Sequence, residues 1–145
     1  MSIARSLFFS ISAAALLLTA CQTANDDASA GFPAKAYASL STDAHLQVEV
    51  RTAPSQPPAL GASSIELRVH DATGTPRDGL TLTVSAWMPA HGHGAHGTPV
   101  ITPLGDGVYR VESLSLTMAG TWQLRIAMSG EGGFVDHGTA DLDVQ

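Results

Sequence analysis

Ser64-Ile65-Glu66-Leu67-Arg68-Val69-His70 sets apolar and polar side chains in alternation. Successive side chains of a β-strand point to opposite faces, so Ile65, Leu67 and Val69 turn inward and Glu66 and Arg68 outward. Asp71-Ala72-Thr73-Gly74-Thr75-Pro76, dense in turn formers, stops the strand. Upstream, His45-Leu46-Gln47-Val48-Glu49-Val50-Arg51 repeats the alternation, and downstream Leu80 to Trp87 reads as a third strand. Pro99 to Pro103 reads as a short edge strand, because proline has no N–H to give to a central ladder. Gly105-Asp106-Gly107 turns into Val108 to Leu116, and Ala119-Gly120 turns into Thr121 to Met128. The Gly-rich loop Ser129 to Gly133 leads to a last strand, Asp136 to Val144. About seven strands with turn signals roughly every 8–12 residues describe an all-β chain, expected to fold as an immunoglobulin-like β-sandwich over residues 45–145. Trp87, Tyr109, Trp122 and Met128 are expected in its core.

The sequence before the sandwich has a different character. Arg5 is followed by a nearly unbroken apolar run, Leu7 to Leu18, and then by Leu18-Thr19-Ala20-Cys21. A basic start, an apolar run and small residues at its end make a secretory signal. About a dozen residues span roughly 18 Å as a helix, well short of the ~30 Å apolar core of a bilayer. Leu-Thr-Ala-Cys resembles the lipobox of bacterial lipoproteins, so residues 1–20 are expected to be removed and Cys21 to carry lipid. Gln22 follows the cysteine, which points to the outer rather than the inner membrane, facing the periplasm. Residues 21–44, rich in Asn, Asp, Ser and Ala near their start, read as a flexible tether.

Cys21 is the chain's one cysteine. Spent on an anchor, it leaves no thiol for a disulfide or a thiolate metal site. Without the signal the chain has about 125 residues, enough for one domain. Seven basic and thirteen acidic residues become six and thirteen once Arg5 is removed, a formal charge of −7. That charge excludes a basic nucleic-acid surface.

Met88-Pro89-Ala90-His91-Gly92-His93-Gly94-Ala95-His96-Gly97 is where the chemistry gathers. Three of the six histidines lie there, separated only by glycine and alanine. Imidazole ligates Cu, Zn and Ni, and a thioether favours Cu(I). In an extended run His91 and His93 share a side, and the glycines allow the loop to curl and return His96 to them. Met88 ends the third strand just before the loop, and Met118 sits at another inter-strand turn. The candidate metal ligands are therefore His91, His93, His96, Met88 and Met118, with copper the expected ion and zinc the second choice. His45, His70 and His137 are isolated and read as surface or strand-end residues. No nucleophile elbow or paired carboxylates mark an enzyme.

Val69 to Pro76, the strand to Trp87 and Met88-Pro89-Ala90-His91-Gly92 together resemble the YtkA-like domain, related to FixH-like proteins. Gly107-Val108-Tyr109 and Met118-Ala119-Gly120-Thr121-Trp122-Gln123-Leu124 match further motifs of that family, in the same order. The resemblance runs from about residue 57 to 144. It implies an immunoglobulin-like sandwich outside the cytoplasm, with Met88, His91 and His93 in the family's Met-Pro-x-His-Gly segment. It also implies a copper-handling or oxidase-assembly protein as partner. The expected function is copper binding or delivery from a lipid anchor, the alternative a metal-free interaction module of the envelope.

Overall fold

Ile65, Leu67 and Val69 do face inward, each almost wholly removed from solvent, on the strand that organises one of two sheets. A computed structural model describes residues 30–145; the signal stretch and Cys21 lie outside the described residues. Nine strands are formed among them: β1 (Ala38–Ser41), β2 (Gln47–Ala53), β3 (Gly61–His70), β4 (Thr81–Met88), β5 (His93–Gly94), β6 (Val100–Gly105), β7 (Val108–Leu116), β8 (Gly120–Ser129) and β9 (Val135–Val144). One sheet has the order β1-β2-β3-β7-β6, the other β5-β4-β8-β9, and every pairing is antiparallel. With β1 and β5 set aside, β2-β3-β7-β6 over β4-β8-β9 is the four-on-three strand order of an immunoglobulin constant-type sandwich. The chain is an all-β sandwich, as its alternation requires.

Trp122, Tyr109, Leu67, Leu124, Ile126, Met128 and Leu142 fill the space between the sheets. The Tyr109 hydroxyl donates to the Arg77 carbonyl at 2.8 Å and accepts from the Leu80 N–H at 3.1 Å, clamping the β3–β4 connection onto β7. Asp71 closes the turn before it, its Oδ1 accepting from the backbone N–H groups of Thr73 and Thr75. β6 takes the edge of its sheet, where Pro103 costs no ladder hydrogen bond.

Four expectations need correction. Two strands beyond the seven expected are present, and one of them, β1, lies inside the stretch read as tether. Four residues with one large apolar side chain carry too little pattern to be seen locally. Contacts distant in sequence hold β1: Leu40 fills the space beside Gly138, and Thr42 hydrogen-bonds Asp136. The second strand starts at Gln47, not His45, because Thr42 to Leu46 is a hydrogen-bonded turn with His45 at φ 64°.

Trp87 is not a core residue. Its neighbours Ala86 and Met88 take the inner face, so alternation turns the indole outward, half-buried beneath the Arg125 guanidinium 5.2 Å from its ring. Glu66 points to the outer face of its sheet but is fully buried there. β2 and β7 place Arg51 and Arg110 opposite it in register, and Arg51 and Arg68 bond its Oε1 at 2.9 and 2.8 Å.

Candidate metal centre

β4 ends at Met88 and the chain reverses through Pro89, Ala90, His91 and Gly92. The N–H groups of His91 and Gly92 both donate to the Met88 carbonyl, at 3.2 and 2.9 Å. Gly92 sits at φ +67°, in the left-handed region that a side chain disfavours. The reversal is tight enough for Met88 to pair with His93 in β5. Directly paired residues share a face of the sheet. Met88 faces the core, so the His93 ring also turns inward and meets Trp122 edge-on, centroids 5.7 Å apart. His91 projects from the turn, exposed, with its ring 6.0 Å from that of His93.

That separation suits chelation. With a metal–nitrogen bond of about 2.0–2.1 Å, the centroids of two imidazoles on one ion lie roughly 5–6 Å apart. Nδ1 of His93 donates to the Gly94 carbonyl oxygen at 3.1 Å, since a carbonyl can only accept. The lone pair of His93 is thereby placed on Nε2, the pattern in which a carbonyl orients a ligating histidine.

The indole of Trp122 connects the histidines to the other turn. Its Nε1–H donates to the Met118 carbonyl at 2.8 Å, while its ring carries His93. The β7–β8 turn with Met118, 36% exposed, is therefore at the same end of the sandwich as the His turn. Met88 lies beneath both. It is only 2% exposed, and its methyl group stands 3.0 Å from where a Cβ on Gly120 would sit. Trp122 was expected in the core, where it is. Its part in joining the two turns left no local signal beyond the spacing Met118-Ala119-Gly120-Thr121-Trp122.

His96 does not join this group. Ala95 N–H donates to the Ala86 carbonyl at 2.8 Å, keeping the loop flat along β4, and His96 then bridges to Ser115 on the other sheet. Ser115 alternates with buried Leu114 and Leu116, so it faces outward and its partner His96 does too. Backbone pairing overrides the curl that the glycines allow. Among the described residues no group of three or more His, Cys, Asp or Glu side chains is placed to hold a metal ion. His45 and His70 lie in a turn and at a strand end. His137, 71% exposed, pairs with Asp43 at 2.9 Å.

The family model for YtkA-like proteins matches residues 42–127, more than half of the chain. The chain belongs to the YtkA-like family. Among solved structures the YtkA-like sandwich is similar to a DUF4426 family protein from Pseudomonas aeruginosa PAO1, with a TM-score of 0.51 over 73% of this chain and 94% of that one. Their identity of 11% makes that a likeness of fold alone. The Lin-41 filamin domain is also similar, at a TM-score of 0.45 and 16% identity over 66% of this chain and 91% of that chain. No curated protein matches the chain in sequence.

The donors at this end of the YtkA-like domain are two imidazoles, with two thioether-bearing residues close by. A structural zinc site asks for four nitrogen, oxygen or thiolate ligands, and a catalytic one for three. Two imidazoles do not fill such a shell. Cu(I) takes imidazole and thioether together, and a mixed set of this kind fits it.

Proposed function

We propose that this YtkA-like domain binds copper through His91 and His93, with Met118 and Met88 as the nearby thioethers. It acts in copper delivery or homeostasis, not catalysis. Cys21 holds it by lipid on the periplasmic side of the envelope, where it passes copper to a copper-handling or oxidase-assembly protein. The observation that carries the reading is the Trp122 indole, which supports the His93 ring and ties down the turn of Met118. Copper would supply no reaction here. The chain's part is to orient His93 through Gly94, present His91 on the Gly92 turn, and keep the sulfur of Met88 away from water.

The test is a titration of the purified protein with Cu(I) and with Cu(II) against competing chelators. Binding tighter than about micromolar is expected for Cu(I), and its absence in both states would sink the proposal. Metabolic labelling with palmitate, compared between the natural chain and Cys21→Ser, tests the anchor separately.

A further inference from the structure

Two imidazoles leave a divalent ion half-coordinated. Cu(II) takes nitrogen and oxygen donors in a square or tetragonal plane and gains little from a thioether. One chain offers it His91 and His93, while His96 faces elsewhere and no third His, Cys, Asp or Glu of the described residues stands with them. We propose that two copies of this chain meet end to end around one Cu(II) ion, each supplying His91 and His93. The proposal rests on the copper reading above and names the partner that completes that site.

Charge points to the same face. A chain of formal charge −6 repels its own copies, and the charges are not spread evenly. Three segments of the histidine end, residues 54–60, 89–99 and 117–119, contain no Asp, Glu, Lys or Arg. Lys35 borders this end, where its carbonyl accepts from Gln56 Nε2 at 2.9 Å, and so does the strand end Asp143 to Gln145, paired beside Gly120 and hydrogen-bonded to Leu60. Asp71, Arg77, Asp78, Asp106 and Glu131 all belong to turns at the opposite end. These uncharged segments also expose apolar side chains, Leu60 at 54% and Met118 at 36%. Leu60 is held there by its N–H to the Gln145 carbonyl, and the next residue, Gly61, pairs with Leu116, two residues before Met118.

One uncharged patch meeting its own copy is an isologous contact, which closes at two. The end of a sandwich this small buries less than the ~1,200 Å² of a stable interface, so the ion is required and the metal-free chain stays monomeric. Cu(I), which accepts the thioethers of the same chain, leaves it monomeric as well.

Native mass spectrometry of the lipidated protein in detergent counts chains per copper, and electron paramagnetic resonance counts the nitrogens on Cu(II). With half an equivalent of Cu(II), the expected species has two chains, one copper and four nitrogen ligands; without metal, or with Cu(I), single chains are expected. One Cu(II) per single chain with two nitrogens would overturn the proposal. His91→Ala should abolish the dimer. Leu60→Asp should weaken Cu(II)-dependent dimerisation about tenfold through like charges across the contact, with Cu(I) affinity unchanged. A Leu60→Asp chain that dimerises like the natural one would mean that the ion merely cross-links loops, which also overturns the shared face. Tight Cu(I) binding without any Cu(II) dimer refutes this inference alone; no copper binding in either state refutes the copper reading with it.

Discussion

Replacing Glu66 by glutamine removes one charge and almost no volume. The carboxylate has no exposure, and its Oε1 is bonded by Arg51 Nη1 at 2.9 Å and Arg68 Nε at 2.8 Å. Removing one partner of a buried ion pair costs about 3–5 kcal/mol, because the other charge stays desolvated. Arg51, 9% exposed, keeps Glu49 at 2.8 Å, and Arg68, 31% exposed, still reaches water. Those two escapes put the loss at the low end, about 3 kcal/mol. For a domain of this size that is a fall of roughly 10–15 °C in Tm. Urea unfolding followed by circular dichroism measures it, provided the slope against denaturant is unchanged. Glu112→Gln, exposed on the same sheet, is the control and should stay within about 0.5 kcal/mol. If Glu66→Gln lost no more than the control, Glu66 would be solvated in solution, and the pairs would be of the weak surface kind.

Tyr109→Phe strands the Leu80 N–H and should cost about 1–3 kcal/mol by the same assay. Burial, foremost, holds the Tyr109 hydroxyl above the ordinary tyrosine range. Its contribution is therefore complete below about pH 10 and lost as pH rises through the raised value. The natural chain should lose stability in that alkaline window more steeply than Tyr109→Phe, and parallel pH profiles would refute the clamp. His91→Ala and His93→Ala should each weaken Cu(I) binding at least about tenfold, and His96→Ala by less than about threefold, in chelator competition. Equal losses for all three would mean that the loop closes around the ion after all. Gly107→Ala would set a Cβ 2.3 Å from the Val69 carbonyl oxygen at φ +70°. That carbonyl is fixed by Arg77 N–H at 2.9 Å, so a loss of about 3 kcal/mol or more is expected in the unfolding midpoint.

Much of the sandwich was legible because a strand buried on one face writes its orientation into every second residue. Ile65, Leu67 and Val69 declared the inner face, and Pro103 declared an edge. Glu66 and Trp87 show where that reading stops. Alternation says to which face a side chain points, but not what covers that face. Glu66 is buried among Arg51 of the neighbouring β2 and Arg68 of its own strand, and Trp87 is only half covered, by Arg125 of β8. β1 was missed for a related reason, its support coming from Gly138 and Asp136, almost a hundred positions away.

At the histidine end the sequence alone determined the side-chain types that gather there: imidazole and thioether. It also marked the two turns, Met88 to His93 and Thr117 to Gly120, where those donors stand. Only the tertiary structure decided which of them meet. Trp122 brings His93 to the turn of Met118, and the bridge to Ser115 takes His96 away. Local pattern governs the direction of a side chain along its own strand, whereas company at a site depends on pairing between strands far apart in the chain.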